Sequence, residues 1–146
     1  MVSVELLKSQ DEAAWRELWH GYNVFYERAD KVSEEATATL WRKIHDPKSI
    51  IIGYGAYQDG RLVGFTHAFP HESTAEPAGK LYLQDLFVAP DVRSGGHGEA
   101  LIHAVYELGE QMGVAQVYWM TQDFNATARR LYDKVGTLTP FIKYCR

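Results

Sequence analysis

The chain has 146 residues, 46% of them apolar and 23% charged, with a formal net charge of −4. That length suits a single domain, 1–146, with a substantial core, and the composition is that of a soluble globular protein. A net negative charge without a basic stripe argues against nucleic acid as a partner, and no apolar run approaches the ~20 residues of a membrane helix.

The opening residues MVSVELLKSQDE lack the apolar core of a secretory leader, and the single cysteine, Cys145, leaves no internal disulfide to form. A cytoplasmic, reducing setting is the expectation. Val2 to Leu7 alternates weakly and reads as a first strand. Ser9 with Glu12 forms a capping-box pattern, opening a helix that carries Trp15, Leu18, Trp19 and Tyr22 at helical spacing, then Phe25 and Tyr26. After Asp30-Lys31, Ser33 caps a second helix through Leu40, Trp41 and Ile44, which Asp46-Pro47 ends. Ile50 to Tyr57 is a buried strand, Asp59-Gly60 a hairpin turn, and Arg61 to Phe69 the returning strand. His71 to Gly79 is a polar loop. His67 and His71 straddle the strand and this loop, which is not a helical metal-ligand spacing, so no metal is expected.

The next stretch, Leu81 to Leu101, orders an apolar strand, a basic glycine-rich loop and a helix: LYLQDLFVAPDVRSGGHGEAL. A loop of this kind leaves backbone N–H groups uncovered at a helix N-terminus, where the helix dipole favours a phosphate or diphosphate. Its glycines allow close approach of the backbone to the anion. The P-loop is excluded because no Gly-Lys-Ser/Thr is present, and the dinucleotide fingerprint because Leu101 stands where its third glycine belongs. Arg93-x-x-Gly96-x-Gly98 fits Arg/Gln-x-x-Gly-x-Gly/Ala at every position. A plain helix-opening glycine turn is the alternative. Gly113 ends the helix, Val114 to Met120 is a fifth strand, and Asn125 caps a fourth helix, NATARRLYDKV, which Gly136 closes. Thr139 to Tyr144 reads as a short last strand. The order is β-α-α-β-β-β-α-β-α-β, a mixed α/β domain with a largely antiparallel sheet and helices on both faces.

The Arg93 loop resembles the diphosphate loop of the GNAT superfamily of N-acetyltransferases. One helix and one strand later, Asn125, Ala128, Leu131-Tyr132 and Gly136 match the superfamily pattern N-x-x-A-x-x-L/F-Y-x-x-x-G. LQDLFV and NATARRLYDKVGTLTPFIKY look most like the diamine, small-amine and histone-type branch. That branch usually reads Glu-Asp-Leu where this chain has Gln84-Asp85-Leu86. Gln84 cannot ionise, so it is not a general base, and is placed instead among substrate contacts.

The resemblance implies acetyl-CoA as co-substrate and a small-molecule amine as acceptor. It places the diphosphate on the amides of Ser94, Gly95, Gly96, His97, Gly98 and Glu99, with the Arg93 side chain; for His97 the amide matters more than the ring. Leu86, Phe87 and Val88 would bond the pantetheine arm like an added strand, with Asn125 and Ala128 beside it. Strands splayed at a bulge would free the Val88 N–H to face the thioester oxygen. Tyr132 would be the general acid, since a phenol with a pKa near 10 stays protonated at neutral pH. By strand alternation Leu83, Asp85 and Phe87 share one face. Asp85 is then a candidate base for the amine, a structural hydrogen-bonding carboxylate, or a bystander to water-relayed deprotonation. Tyr22 and Tyr26 belong to a buried helix face or line the acceptor pocket. A homodimer is a further expectation. Two other functions fit the same residues: a non-catalytic acyl-CoA-binding or sensory module, and an unrelated phosphate-loop nucleotide binder.

Overall fold

The computed structural model describes residues 2–146. Five strands form one sheet in the order β1-β2-β3-β4-β5: β1 (Val2–Leu6), β2 (Ile52–Gln58), β3 (Arg61–His71), β4 (Lys80–Val88) and β5 (Val117–Tyr118). All neighbours are antiparallel except β4 and β5, which run parallel around the crossover helix α3 (His97–Met112). The β2–β3 hairpin turns at Asp59 (φ 52°) and Gly60 (φ 81°), two left-handed residues whose twist matches that of the flanking strands.

One face of the sheet carries α1 (Glu12–Phe25) and α2 (Glu34–His45). The tryptophan stripe of α1 is its buried face: Trp15, Trp19 and Tyr22 pack with Trp41 of α2 against Phe65 and Phe87. The other face carries α3, whose Leu101, Ile102 and Val105 pack on Ala56, Val63, Ala68, Leu81 and Leu83. The last helix, α4 (Ala126–Val135), adds Leu131, Tyr132 and Val135 to the rim of this second core. Ser33 caps α2 by accepting the Ala36 N–H at 3.0 Å, as its sequence position predicts.

Four expectations are corrected. The Ser9–Glu12 capping box is absent; Ser9–Asp11 forms a short 3₁₀ turn and α1 starts at Glu12. Asp11 dominates there, its carboxylate accepting the Lys8 N–H at 3.1 Å and the Tyr57 hydroxyl at 2.5 Å, which ties the helix start to β2. The fifth strand is two residues long instead of seven. Thr139 to Tyr144 pairs with no strand among the described residues and leaves Phe141, Ile142 and Tyr144 exposed. Its β-prone composition does not suffice, because a strand exists only through its partner.

The fourth correction shapes the site. His67 pairs with Asp85 while Ala68 pairs with Leu83, so Gln84 is an extra residue bulged out of β4. A bulge reverses the inside–outside alternation beyond it. Leu83 therefore packs with α3, whereas Asp85 and Phe87 turn to the α1 face, and the predicted common face of Leu83, Asp85 and Phe87 does not exist. The bulge falls at Gln84, and Val88 beyond it stays in register with Gly64.

Candidate active site

Beyond the bulge, β4 and β5 part company. They pair only at Leu81–Val117 and Tyr82–Tyr118. Leu83 to Val88 continue along β3 with their other edge free of any strand among the described residues. This divergence opens a cleft floored by the far half of β4, with α3 beginning at one end and α4 at its side.

The glycine-rich loop enters α3 as expected. Ser94 (φ 70°) and Gly96 (φ 83°) are both left-handed, and Gly96 is the residue at which the helix begins. A Cβ on Gly96 would meet nothing within 4 Å, so the backbone there is bare on its outer side. The first-turn amides of α3 are thus open to an anion. Gly98 faces inward instead, its missing Cβ lying 3.3 Å from Leu131 of α4.

Not every predicted loop side chain points to the same place. Arg93 donates its Nε–H to the Val88 carbonyl at 3.1 Å and lays its guanidinium over the Phe87 ring. Glu99 reaches Lys134 of α4 at 2.7 Å. The His97 ring is buried, with Nε2 2.9 Å from Gln58 Oε1; Gln58 is the acceptor, so the proton sits on Nε2. Its Nδ1 has no partner among the described residues and lies 2.9 Å from the position a Cβ on Gly95 would take. The ring of His97 therefore anchors the loop to the end of β2, whereas the sequence expectation gave weight to its amide at the diphosphate.

At the side of the cleft, α4 starts at Asn125, whose Oδ1 accepts the Ala128 N–H at 3.5 Å and whose Nδ2 donates to Thr121 Oγ1 at 3.3 Å. Two turns on, Tyr132 packs edge-on against Trp119 with ring centroids 5.5 Å apart. Burial pushes its phenol up to about 12, and the nearby Tyr26 hydroxyl adds to the shift. Burial likewise raises Tyr26, while interactions with the side chains of Thr121 and Asn125 pull it back. The end of α1 and the start of α4 thus meet around Tyr26, Asn125 and Tyr132.

Behind these tyrosines lies a buried polar chain. The Trp15 indole N–H donates to His67 Nε2 at 3.0 Å. Since an indole only donates, His67 carries its proton on Nδ1 and donates it to Asp85 Oδ2 at 2.9 Å. Asp85 is 6% exposed, and its second oxygen lies 3.7 Å from Arg28 Nη2. Tyr22 stacks on Trp19 and packs at a tilt against Tyr26, and its phenol is raised well above 10, first by burial and then by the Asp85 carboxylate, with Arg28 opposing. Gln84 is exposed on its bulge, one residue from this chain.

The sequence pattern of the acetyltransferase (GNAT) family matches residues 12–137. The chain belongs to that family. It is 33% identical over 147 residues to the D-amino-acid N-acetyltransferase HPA3 of Saccharomyces cerevisiae, covering 99% of this chain and 90% of that one. It is 31% identical to the uncharacterized N-acetyltransferase YhfO of Bacillus subtilis, covering 99% and 96%. The aminoglycoside acetyltransferase AAC(6')-Iy, solved with a CoA-linked bisubstrate analogue, superposes with a TM-score of 0.84 at 18% identity, covering 100% of this chain and 97% of that one. The ribosomal-protein-alanine N-acetyltransferase of Brucella melitensis gives 0.78 at 20% identity, covering 100% and 98%. The cleft thus belongs to an N-acetyltransferase.

Of the predicted residues, the structure gathers Tyr22, Tyr26, Asp85, Asn125 and Tyr132 about one end of the cleft, and Ser94 to Glu99 about the other. Sequence reasoning missed His67 as the partner of Asp85, and missed Arg28 and Thr121 altogether. His67 gave a signal, a lone histidine in an apolar strand opposite a lone aspartate, legible only once the β3–β4 register is known. Among the described residues no cluster of three or more potential metal ligands occurs, and no helix is long and apolar enough to cross a membrane.

Proposed function

We propose that this N-acetyltransferase moves the acetyl group of acetyl-CoA to a primary amine by direct attack on the thioester. The observation that carries this reading is the Tyr132 phenol, set beside Tyr26 and Asn125 at the open side of the β4–β5 divergence and kept protonated with a pKa of about 12. In the step, the amine nitrogen forms a C–N bond to the thioester carbonyl carbon and the C–S bond breaks. Tyr132 gives its proton to the departing thiolate, and the excess amine proton leaves to water.

The amides of Ser94, Gly95, Gly96, His97, Gly98 and Glu99 receive the diphosphate, joined by the guanidinium of Arg93. The free edge of Leu86, Phe87 and Val88 receives the pantetheine arm, with Asn125 and Ala128 alongside. The Val88 N–H is assigned to the oxyanion. Tyr22, Tyr26 and Gln84 line the acceptor side. Asp85, one oxygen already held by His67, orders this pocket; water removes the amine proton.

Among acceptors, the D-amino-acid N-acetyltransferase of Saccharomyces cerevisiae supports an amino acid, while LQDLFV and the α4 segment keep a diamine or a lysine side chain in the panel to be tried. The test is release of free CoA from acetyl-CoA with polyamines, amino acids of both hands and lysine peptides. Amine-dependent release with a matching acetylated product is expected. Tight acetyl-CoA binding without amine-dependent release would instead support a non-catalytic acyl-CoA-binding module.

A further inference from the structure

We infer that Arg28 anchors the carboxylate of the acceptor, so that the amine this enzyme acetylates is the α-amino group of an amino acid. The inference rests on the amine-acetylating reading above and names a residue and a substrate class for it.

Arg28 follows α1 through a sharp reversal in which Glu27 takes a left-handed conformation (φ 56°). The reversal folds the guanidinium back over its own helix, 5.5 Å from the Trp19 ring centroid and 5.1 Å from that of Tyr22. Its Nε donates to Asn23 Oδ1 at 2.6 Å, and Asn23, 2% exposed, donates in turn to the Trp19 carbonyl at 2.9 Å. One edge of the guanidinium is thus fixed by a buried amide, and its plane by two rings.

The other edge is not filled. Nη2 stands 3.7 Å from Asp85, beyond hydrogen-bond reach, whereas a finished Arg–carboxylate fork closes to about 2.7–2.9 Å. Asp85 meanwhile gives its other oxygen, Oδ2, to His67. Nη1 has no partner among the described residues, and the side chain is 37% exposed. A rigid, oriented cation with free donors is what bidentate recognition of a carboxylate requires. Arg28 lies over Tyr22, whose ring centroid is 4.9 Å from that of Tyr26, and Tyr26 in turn is near enough to Tyr132 to raise its phenol, so this cation stands on the side of the cleft that holds the proposed acid. An α-amino acid holds its nitrogen one carbon away from its carboxylate. Fixing that carboxylate on Arg28 fixes where the amine can stand, and Asp85 offsets the cation when no acceptor is bound.

The experiment compares kcat/KM for amino acids of both hands with that for the decarboxylated amines bearing the same side chains, using wild type, Arg28→Gln and Arg28→Lys. Wild type is expected to favour the amino acid by roughly 10²-fold or more, since a site built to bond a polar group rejects analogues lacking it. Arg28→Gln should raise the amino-acid KM about 10–100-fold, the worth of a charge-assisted hydrogen bond, with kcat and use of the amine little changed. Arg28→Lys should recover part of the loss, and acetyl-CoA affinity should be unaltered in both variants. Equal use of amino acid and amine by wild type overturns the anchor while leaving the N-acetyltransferase reading intact, and it does so even if the variants fail to fold. Equal losses toward both acceptor types in Arg28→Gln overturn it too, because that is what a purely structural arginine would give. Acetyl transfer to neither class overturns the anchor, while the wider amine-acetylating reading is decided separately by CoA release with the polyamines and lysine peptides.

Discussion

Asp85 and Tyr132 sit in the same pocket, yet their surroundings assign them different work. Asp85 is buried, holds the Nδ1 proton of His67 and faces Arg28, so it is a carboxylate already committed to partners. Tyr132 packs against Trp119 near Tyr26, and burial raises its phenol to about 12. The sign follows directly: a phenol raised from 10 to about 12 remains the acid form across the whole range in which an alkylamine deprotonates, so no alkaline loss of activity belongs to Tyr132 below that value. An amine with a pKa near 10 costs a factor of about ten in its reactive form for each pH unit below it. With water as the proton acceptor, kcat/KM for the amine should rise roughly tenfold per pH unit and level only near the amine's own pKa. Asp85→Asn should keep that slope. A lower inflection in wild type that disappears in Asp85→Asn would make Asp85 the base.

At the scale of elements, the proposed anion site is the junction between loop and α3, and its two glycines do different things. Gly96 needs its left-handed conformation and has open space outside it; Gly98 needs to be small because Leu131 of α4 lies against it. Gly96→Ala is therefore the cleaner test. Left-handed strain costs about 1 kcal/mol and lowers the melting point by roughly 2–4 °C, while the new methyl stands where an anion must approach. Calorimetry should show acetyl-CoA affinity down at least about tenfold; unchanged affinity would move the diphosphate elsewhere. This junction, the caps at Ser33 and Asn125 and the tryptophan face of α1 were all legible in the sequence, because each depends on residues a few positions apart. The Gln84 bulge was not. One extra residue in a strand is defined only by the strand beside it, and missing it put Asp85 on the same face as Leu83.

At the scale of the molecule, what escaped the sequence is what distance along the chain conceals. Trp15 meets His67, His67 meets Asp85, and Arg28 reaches back over Trp19, all through contacts that the sheet register and the reversal at Glu27 create. The same dependence on partners explains the shortened β5 and the unpaired Thr139 to Tyr144, whose β-prone residues find no neighbour among those described. What the fold achieves is to bring three distant pieces to one cleft: a helix start with open amides, a strand edge released by the divergence of β4 and β5, and a phenol on α4. Tyr132 is the proposed acid, so single-turnover acetyl transfer by Tyr132→Phe at saturating acetyl-CoA tests the central claim most directly. The substitution removes one hydroxyl and keeps the packing against Trp119. Loss of a general acid predicts a chemical step slower by about 10²–10⁴-fold with acetyl-CoA affinity nearly unchanged. A Tyr132→Phe enzyme that transfers acetyl at the wild-type single-turnover rate would contradict the account.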